Sequence, residues 1–163
     1  MIPYSRQSIN NSDINSVIRV LKSNYLTQGP NVEKFENEIK KICQVKFSSS
    51  VNSATSALHL SCLALGLKKN DYLWTSPISF VASSNCALYC GAKVDFVDIN
   101  IQNFNLDINI LKQKLIEAKK EKKLPKILVA VHMAGVSCEM SEIKKLSIKY
   151  NFKIIEDATH CTG

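Results

Sequence analysis

The sequence predicts an α/β fold, a three-layer, doubly wound and mostly parallel sheet with helices on both faces. Short apolar runs with strand character alternate with helix-length segments along the 163 residues. This alternation is typical of a parallel sheet whose strands are joined by right-handed helical crossovers. One run, Ile127–Val131, is apolar at every position, as expected for a strand that is covered on both faces. The chain is also long enough to bury a sizeable core.

The first half of the chain predicts three helices and one strand. Apolar residues recur at helical spacing in its first two helices, and small residues closed by a glycine mark the third. The predicted elements are helix 14–21 after a cap at Ser12-Asp13, helix 32–43, strand 45–51, and helix 54–65 before Gly66.

The second half predicts four strands separated by three helices. Ser76-Pro77 ends the first of these strands, because proline cannot donate a hydrogen bond to a sheet. The predicted strands are 72–75, 94–97, 127–131 and 153–157, and the predicted helices are 80–89, 111–123 and 140–150. Ligands bind beyond the carboxyl ends of such strands. The residues to inspect are therefore 52–56, 76–80, 132–135 and 157–160.

Composition narrows the class of protein. With 45% hydrophobic and 21% charged residues, the chain resembles ordinary soluble globular proteins. We expect no membrane association, because no apolar stretch reaches the ~18 residues needed to cross a bilayer. Residues 1–6 lack a basic segment followed by an apolar run. A secretory signal is therefore not visible, and a cytoplasmic location is expected.

Cysteines, histidines and lysines have ordinary structural interpretations. Most of the six cysteines lie in apolar runs, so we expect buried, reduced thiols. No Cys-x-x-Cys pair occurs and the three histidines are far apart, so no metal site is predicted. Much of the net charge of +7 comes from Lys112–Lys126, which holds seven lysines. Without arginine or aromatic residues, this segment favours a solvated helix face over a nucleic-acid patch.

Three strand-end segments carry residues with chemical potential. Asn52–Leu58 joins a strand to a helix start, where free N–H groups and hydroxyls suit a phosphate group. Asp157 ends an apolar strand, where a carboxylate needs hydrogen bonds or a cation such as a protonated pyridine nitrogen. Phe80 follows another strand, where its ring could stack on a planar cofactor. A capped helix, an aspartate that caps the next helix, and core packing are the respective alternatives.

Five motifs in this order resemble the DegT-type sugar-nucleotide aminotransferases. The matching stretches are Leu26–Pro30, Asn52–Leu58, Ser76–Ser83, Val131–Gly135 and Glu156–His160. The resemblance covers nearly the whole chain. It implies the incomplete large domain of a fold-type I pyridoxal 5′-phosphate (PLP) enzyme. Residues 1–30 would be an N-terminal helix and loop, residues 31–163 a partial PLP-binding large domain, and the small C-terminal domain would be absent.

The resemblance also implies a role for individual residues. Thr55 and Ser56 would hold the cofactor phosphate, and Phe80 would stack on the pyridine ring. Asp157 would pair with the ring nitrogen. His160 would lie beside the cofactor, although many relatives have a glutamine nearby in this motif.

Two further stretches, Ala87–Asp98 and Ser137–Met140, resemble the branch of this family that acts in pseudaminic acid biosynthesis. That branch transfers an amino group from L-glutamate to a UDP-linked 4-keto-6-deoxy-N-acetylhexosamine, and family members are homodimers. The resemblance therefore implies a nucleotide-sugar substrate, with Thr27 and Gln28 near its site.

The family's Schiff-base lysine follows the stretch that resembles Glu156–His160 by a further strand, which is beyond Gly163. This lysine both anchors the cofactor and shuttles protons. We therefore expect no catalytic residue of this kind in the chain, and no activity from it alone. Two alternatives remain open. One is a non-catalytic module for nucleotide-sugar binding or dimerisation, and the other is an unrelated α/β domain that binds nucleic acid.

Overall fold

A computed structural model describes residues 6–161 of the chain. The chain divides into two compact units, Met1–Ser50 and Val51–Gly163. Most of the N-terminal stretch used to judge a secretory signal, and the chain end at Gly163, lie outside the described residues. The functional boundary predicted at residue 30 stays a prediction.

The first unit contains two amphipathic helices, α1 (Asn11–Leu21) and α2 (Pro30–Ile42). The cap predicted at Ser12-Asp13 is wrong, because Asn10 caps α1. Its side chain accepts from the N–H of Asp13, and the Asp13 carboxylate accepts from the N–H of Asn10. This reciprocal pair satisfies two backbone donors that would otherwise have no partner in the helix.

The strand predicted at 45–51 is also wrong. This segment is irregular and belongs to no strand within residues 6–161. The backbone N–H and the hydroxyl of Ser50 both donate to the Glu36 carboxylate, at 2.7 and 2.9 Å. The N–H bond holds the pKa of Glu36 below its usual value. A strand needs a neighbouring strand as well as apolar residues, and here α2 takes the hydrogen bonds instead.

The second unit contains a four-stranded parallel sheet with strand order β2-β1-β3-β4. Its strands are β1 (Tyr72–Thr75), β2 (Lys93–Phe96), β3 (Ile127–Val131) and β4 (Lys153–Asp157). β2 begins one residue earlier than predicted, and the other three strands match their predicted bounds. The predicted α/β fold with a parallel sheet is therefore confirmed.

Helices cover both faces of this sheet. They are α3 (Ala54–Ala64), α4 (Ala82–Tyr89), α5 (Ile108–Glu121) and α6 (Met140–Tyr150). Val129 packs with residues of α3 and α4, whereas its neighbour Leu128 packs with residues of α5 and α6. Successive side chains of a strand point to opposite faces, so the buried strands supply two cores and the domain has three layers.

The cysteines and the lysine-rich segment largely follow the predictions. Cys62, Cys86 and Cys138 are buried free thiols, but Cys43 is exposed. Burial raises the pKa of Cys138 to about 11. Most of the lysines around α5 are exposed, whereas Lys114 pairs with Asp95 at 2.7 Å.

A second ion pair, between Asp71 and Lys126, connects the amino ends of β1 and β3. Lys126, just before β3, donates to the Asp71 carboxylate at 2.8 Å and also to the carbonyl of Gly66. The N–H of Lys68 donates to the same Asp71 oxygen at 2.8 Å. These donors, the Lys126 ammonium above all, hold the pKa of Asp71 below its usual value.

Residues 6–161 form neither a membrane-spanning helix nor a cluster of metal ligands. None of their helices is long and apolar enough to cross a membrane. They also contain no group of three or more His, Cys, Asp or Glu side chains placed to hold a metal ion.

Candidate functional site

A cleft of about 200 Å³ opens at the carboxyl ends of β3 and β4. Phe80, Asp157 and His160 line it, together with Ala54 and Leu58 of α3. The cleft lies where parallel sheets bind their ligands. The fold therefore brings together three of the residues that were predicted to hold a cofactor, although Phe80 is far from Asp157 and His160 in sequence.

Asp157 is the last residue of β4, and its two carboxylate oxygens have separate partners. Oδ2 accepts from the hydroxyl of Ser83 at 3.0 Å, and Oδ1 accepts from the hydroxyl of Thr159 at 2.5 Å. No salt bridge to Asp157 forms within the described part of the chain. Within residues 6–161 the hydrogen-bond donors to this carboxylate are all neutral, so no cation among those residues compensates its negative charge.

Ser83 is a site residue that the sequence interpretation missed. It lies in the first turn of α4, is only 1% exposed, and has its hydroxyl 2.6 Å from that of Ser79. The available signal was a serine on the buried side of a helix, shortly after Phe80. Buried hydroxyls need a hydrogen-bond partner, but the sequence does not reveal which partner.

His132, directly after β3, is a second buried polar residue for which the sequence analysis predicted no specific role. Its Nδ1 accepts from the N–H of Cys138 at 3.2 Å. The proton of the neutral ring must then be on Nε2, which donates to the Glu156 carboxylate at 3.1 Å. His132 thus joins the end of β4 to the loop that follows β3.

Asn105 fixes the other side of that loop. Its side-chain oxygen accepts from the N–H of Met133 at 3.0 Å, and its side-chain nitrogen donates to the carbonyl of Val136 at 2.9 Å. Asn105 is buried, so both bonds are shielded from water. An amide side chain that satisfies a backbone donor and a backbone acceptor holds an irregular loop in one conformation.

The same loop contains two consecutive residues with left-handed backbone, Ala134 at φ 51° and Gly135 at φ 86°. A Cβ atom at Gly135 would lie 3.1 Å from the carbonyl oxygen of His160. Position 135 therefore favours glycine for two reasons, its φ angle and the approach of the β4 loop.

The amino end of α3 was predicted to bind a phosphate group. Some of its hydrogen-bond donors have partners within residues 6–161 and others do not. The N–H of Ser56 donates to Ser53 at 3.2 Å, and the Ser56 hydroxyl donates to Asn52 at 2.7 Å. The Thr55 hydroxyl forms no hydrogen bond within residues 6–161, and the first-turn N–H groups of Ala54 and Thr55 have no partner in the helix. The Thr55 hydroxyl is thus more available to donate to a phosphate group than the Ser56 hydroxyl, which already donates to Asn52. Ala54 lines the cleft, whereas Thr55 and Ser56 do not, and their phosphate role stays a prediction.

Thr27 and Gln28 belong to the first unit. They are exposed and line a recess of about 60 Å³ between α1 and α2. Their predicted place near a sugar nucleotide stays a prediction.

The cleft residues fit the cofactor that the sequence suggested. Phe80 precedes α4 and is 74% exposed, which leaves a ring face free for a planar group. Asp157 offers an uncompensated negative charge, as a protonated pyridine nitrogen requires. The unpartnered N–H groups at the start of α3 suit a phosphate dianion.

The sequence profile of the DegT/DnrJ/EryC1/StrS aminotransferase family matches residues 7–163. The chain belongs to this family. A UDP-4-amino-4,6-dideoxy-N-acetyl-beta-L-altrosamine transaminase of Campylobacter jejuni is 43% identical, over 100% of this chain and 42% of the relative. A UDP-4-amino-4-deoxy-L-arabinose–oxoglutarate aminotransferase of Shewanella sediminis is 32% identical, over 99% of this chain and 40% of the relative.

Solved structures of aminotransferases share the fold. One from Psychrobacter cryohalolentis superposes with a TM-score of 0.86 at 28% identity, over 99% of this chain and 40% of that one. PseC of Helicobacter pylori is described as an aminotransferase in pseudoaminic acid biosynthesis. It superposes with a TM-score of 0.82 at 31% identity, over 94% of this chain and 40% of the PseC chain. The chain thus spans about two fifths of the length of these family members, and its implied architecture, part of a fold-type I domain, is confirmed.

Proposed function

We propose that the chain forms the cofactor-binding part of a PLP-dependent aminotransferase. The enzyme would convert a UDP-linked 4-keto-6-deoxy-N-acetylhexosamine to its 4-amino sugar in pseudaminic acid biosynthesis, with L-glutamate as donor, in the cytoplasm. The observation that carries this proposal is the Asp157 carboxylate, which lies in a cleft beside the exposed ring of Phe80 and has only neutral partners within residues 6–161.

Bound PLP would supply an electron sink, because its protonated ring nitrogen draws electrons from the substrate carbon. Asp157 would hold the proton at that nitrogen by charge and hydrogen bonding. Phe80 would cover one face of the ring and exclude water from it. Thr55 would donate to the phosphate, with Ser56 supporting the turn, and His160 would contact the cofactor edge.

The covalent attachment belongs to another residue in this proposal. The family resemblance assigns it to a lysine that follows the stretch resembling Glu156–His160. The part proposed for the chain's own residues is to bind the cofactor, to orient it and to maintain its protonation.

The choice of substrate rests on the relatives. The Campylobacter jejuni relative is named for a UDP-linked amino sugar, and the Helicobacter pylori structure is described by the same biosynthesis. We propose that residues 1–30, with Thr27 and Gln28, contribute the nucleotide-sugar contacts, and that residues 31–163 contribute the cofactor contacts.

A homodimer is the proposed assembly. The outer surface of α3 and α4 supports it, because Leu60, Leu63 and Leu88 are all exposed there. The rings of His59 and Tyr89 lie 5.3 Å apart and join the two helices into one apolar surface. Apolar surfaces of this kind are typical of protein interfaces. Light scattering of the wild-type chain and a Leu63→Lys variant would test this assembly.

The cofactor proposal is tested by equilibrium dialysis of the chain with PLP. We expect saturable binding with one site per chain, and Phe80→Ala should weaken it about tenfold, because stacking on one ring contributes roughly 1–3 kcal/mol. Phe47→Ala is the matched control, since Phe47 is equally exposed but lies outside the cleft unit. Equal affinities for all three proteins, or no saturable binding, would contradict the proposal. Binding of UDP-N-acetylglucosamine without any PLP binding would instead favour the non-catalytic module.

A further inference from the structure

We propose that Ser83 is a positioning residue of this site, which orients the Asp157 carboxylate toward the cofactor ring nitrogen. The inference rests on the proposed function, because it assumes that Asp157 meets a pyridine nitrogen. It adds a third residue, Ser79, which orients the Ser83 hydroxyl in turn.

The direction of the hydrogen bonds follows from the acceptor at their end. An ionised carboxylate can only accept, so the Ser83 hydroxyl donates its single proton to Asp157 Oδ2, at 3.0 Å. The Ser79 hydroxyl lies 2.6 Å from that of Ser83 and 3.0 Å from the carbonyl oxygen of Phe80. Two hydroxyl oxygens 2.6 Å apart need a proton between them, and the Ser83 proton goes to Asp157, so Ser79 donates to Ser83 and not to the Phe80 carbonyl. The result is a chain of two hydroxyls, Ser79 to Ser83 to Asp157, in which each bond polarises the next.

The donors to Asp157 are the Ser83 hydroxyl and, from Thr159, both the hydroxyl and the N–H, and the two residues differ in what they fix. Thr159 is two residues away in the exposed turn after β4, so its bond moves with that turn. Ser83 is 74 residues earlier in the chain, on α4, so its bond holds the carboxylate against a separate packed element. Because Ser83 is 1% exposed, water does not compete for that bond. Ser83 is therefore the donor that sets the direction of the carboxylate.

The burial of this hydroxyl indicates that its role is specific. The other residues that α4 turns inward are apolar or thiol side chains, Ala82, Cys86 and Ala87. Alanine at position 83 would fill the same layer without a polar atom. A buried hydroxyl is costly unless its hydrogen bonds are made, and its proton goes to the one carboxylate in the cleft.

The test compares Ser83→Ala and Ser83→Thr with Ser84→Ala. Ser84 is the matched control, since it lies on the same helix and its hydroxyl donates to the carbonyl of Val81. Each protein is dialysed against PLP and against the 1-deaza analogue, in which C–H replaces the ring nitrogen. We expect Ser83→Ala to bind PLP about tenfold more weakly, since a hydrogen bond to a charged group is lost. Ser83→Thr and Ser84→Ala should bind as the wild type does.

The analogue separates positioning from folding. It has no ring nitrogen to meet Asp157, so all four proteins should bind it equally. The ¹⁵N chemical shift of bound PLP gives a second readout and should move toward the unprotonated value only in Ser83→Ala. If Ser83→Ala weakens PLP and its analogue equally, the cleft has collapsed and the positioning role is overturned.

The remaining outcomes distinguish this inference from the proposed function. If the wild-type chain binds PLP and Ser83→Ala binds it equally well, the positioning role fails and the proposed function stands. If the wild-type chain does not bind PLP, urea unfolding of Ser83→Ala, Asp157→Asn and the double variant measures their coupling. The absence of cofactor binding would reject the proposed function for this chain, and a coupling energy between the two substitutions would show that Ser83 and Asp157 still interact. Ser83 would then be a purely structural residue, which also overturns the positioning role.

Discussion

Asp71 and Asp157 lie at opposite ends of the same sheet and are stabilised in opposite ways. At the amino end, Asp71 contacts the Lys126 ammonium at 2.8 Å. At the carboxyl end, Asp157 accepts from the hydroxyls of Ser83 and Thr159 and from the N–H of Thr159, and no cationic group pairs with it within residues 6–161. The first arrangement neutralises a charge within the protein, whereas the second leaves a charge that the cofactor would neutralise under the proposed function.

The comparison teaches where this fold uses its carboxylates for stability and where for binding. A carboxylate with a cationic partner stabilises the folded chain, although a partly exposed pair contributes little. A carboxylate held by neutral donors is costly in the free protein and useful only with a bound cation. Functional sites commonly carry such unfavourable features.

The largest expected effect is on cofactor affinity. Asp157→Asn should weaken PLP binding about 30-fold, because truncating one partner of a shielded charge pair costs at least roughly 2 kcal/mol. Asp71→Asn should leave the affinity unchanged, since Asp71 lies at the other end of the sheet. Equilibrium dialysis at neutral pH measures both. An equal loss in the two variants would erase the distinction between the two ends.

A smaller effect is expected on stability, in the opposite order. Asp71→Asn should lower the free energy of unfolding by about 1 kcal/mol, because it breaks a partly exposed ion pair. Asp157→Asn should change it by less than about 0.5 kcal/mol, since asparagine keeps an acceptor for Ser83 and no ion pair is lost. Urea unfolding followed by circular dichroism gives both values. A larger loss for Asp157→Asn would mean that this carboxylate is chiefly structural.

The smallest expected effect is the pH dependence of the difference in unfolding free energy between the wild type and Asp71→Asn. Because the pKa of folded Asp71 lies below its ordinary value of 3.8, its stabilisation is fully present above that value. It is lost as the pH falls through the lower, folded pKa. The free energy of unfolding of the wild type should therefore exceed that of Asp71→Asn by a constant amount from pH 7 to about pH 5. In stronger acid the two free energies should converge. A difference that grows on acidification would refute the assigned ion pair.

Where motif and topology coincide, the sequence predicted which residues share the cleft. Parallel strands place their carboxyl ends at one edge, so residues after separate strands, such as Phe80, Asp157 and His160, had to meet there. Ser83 and Asn105 could not be recognised in the same way, and the place of His132 directly after β3 did not indicate its hydrogen-bond partners. Their roles depend on partners in other elements, and a sequence pattern does not specify side-chain pairs between elements.

The errors in the first unit have the same origin. The apolar pattern of residues 45–51 suits a strand, but it contains nothing about the Glu36 carboxylate that takes the Ser50 donors. The cap of α1 was assigned to Ser12-Asp13 because both residues are good caps. Asn10 is as good a cap, and only the reciprocal bond with Asp13 decides between them.

The close approach of Gly135 to the His160 carbonyl has a consequence for engineering this site. A methyl group at position 135 would fit between the loops after β3 and β4 only if the main chain at His160 moved by a few tenths of an ångström. A side chain introduced at position 135 would push on the main chain of the cleft wall while touching no ligand itself. The shape of the cleft therefore depends on a position that does not line it, and libraries restricted to lining residues would miss that position.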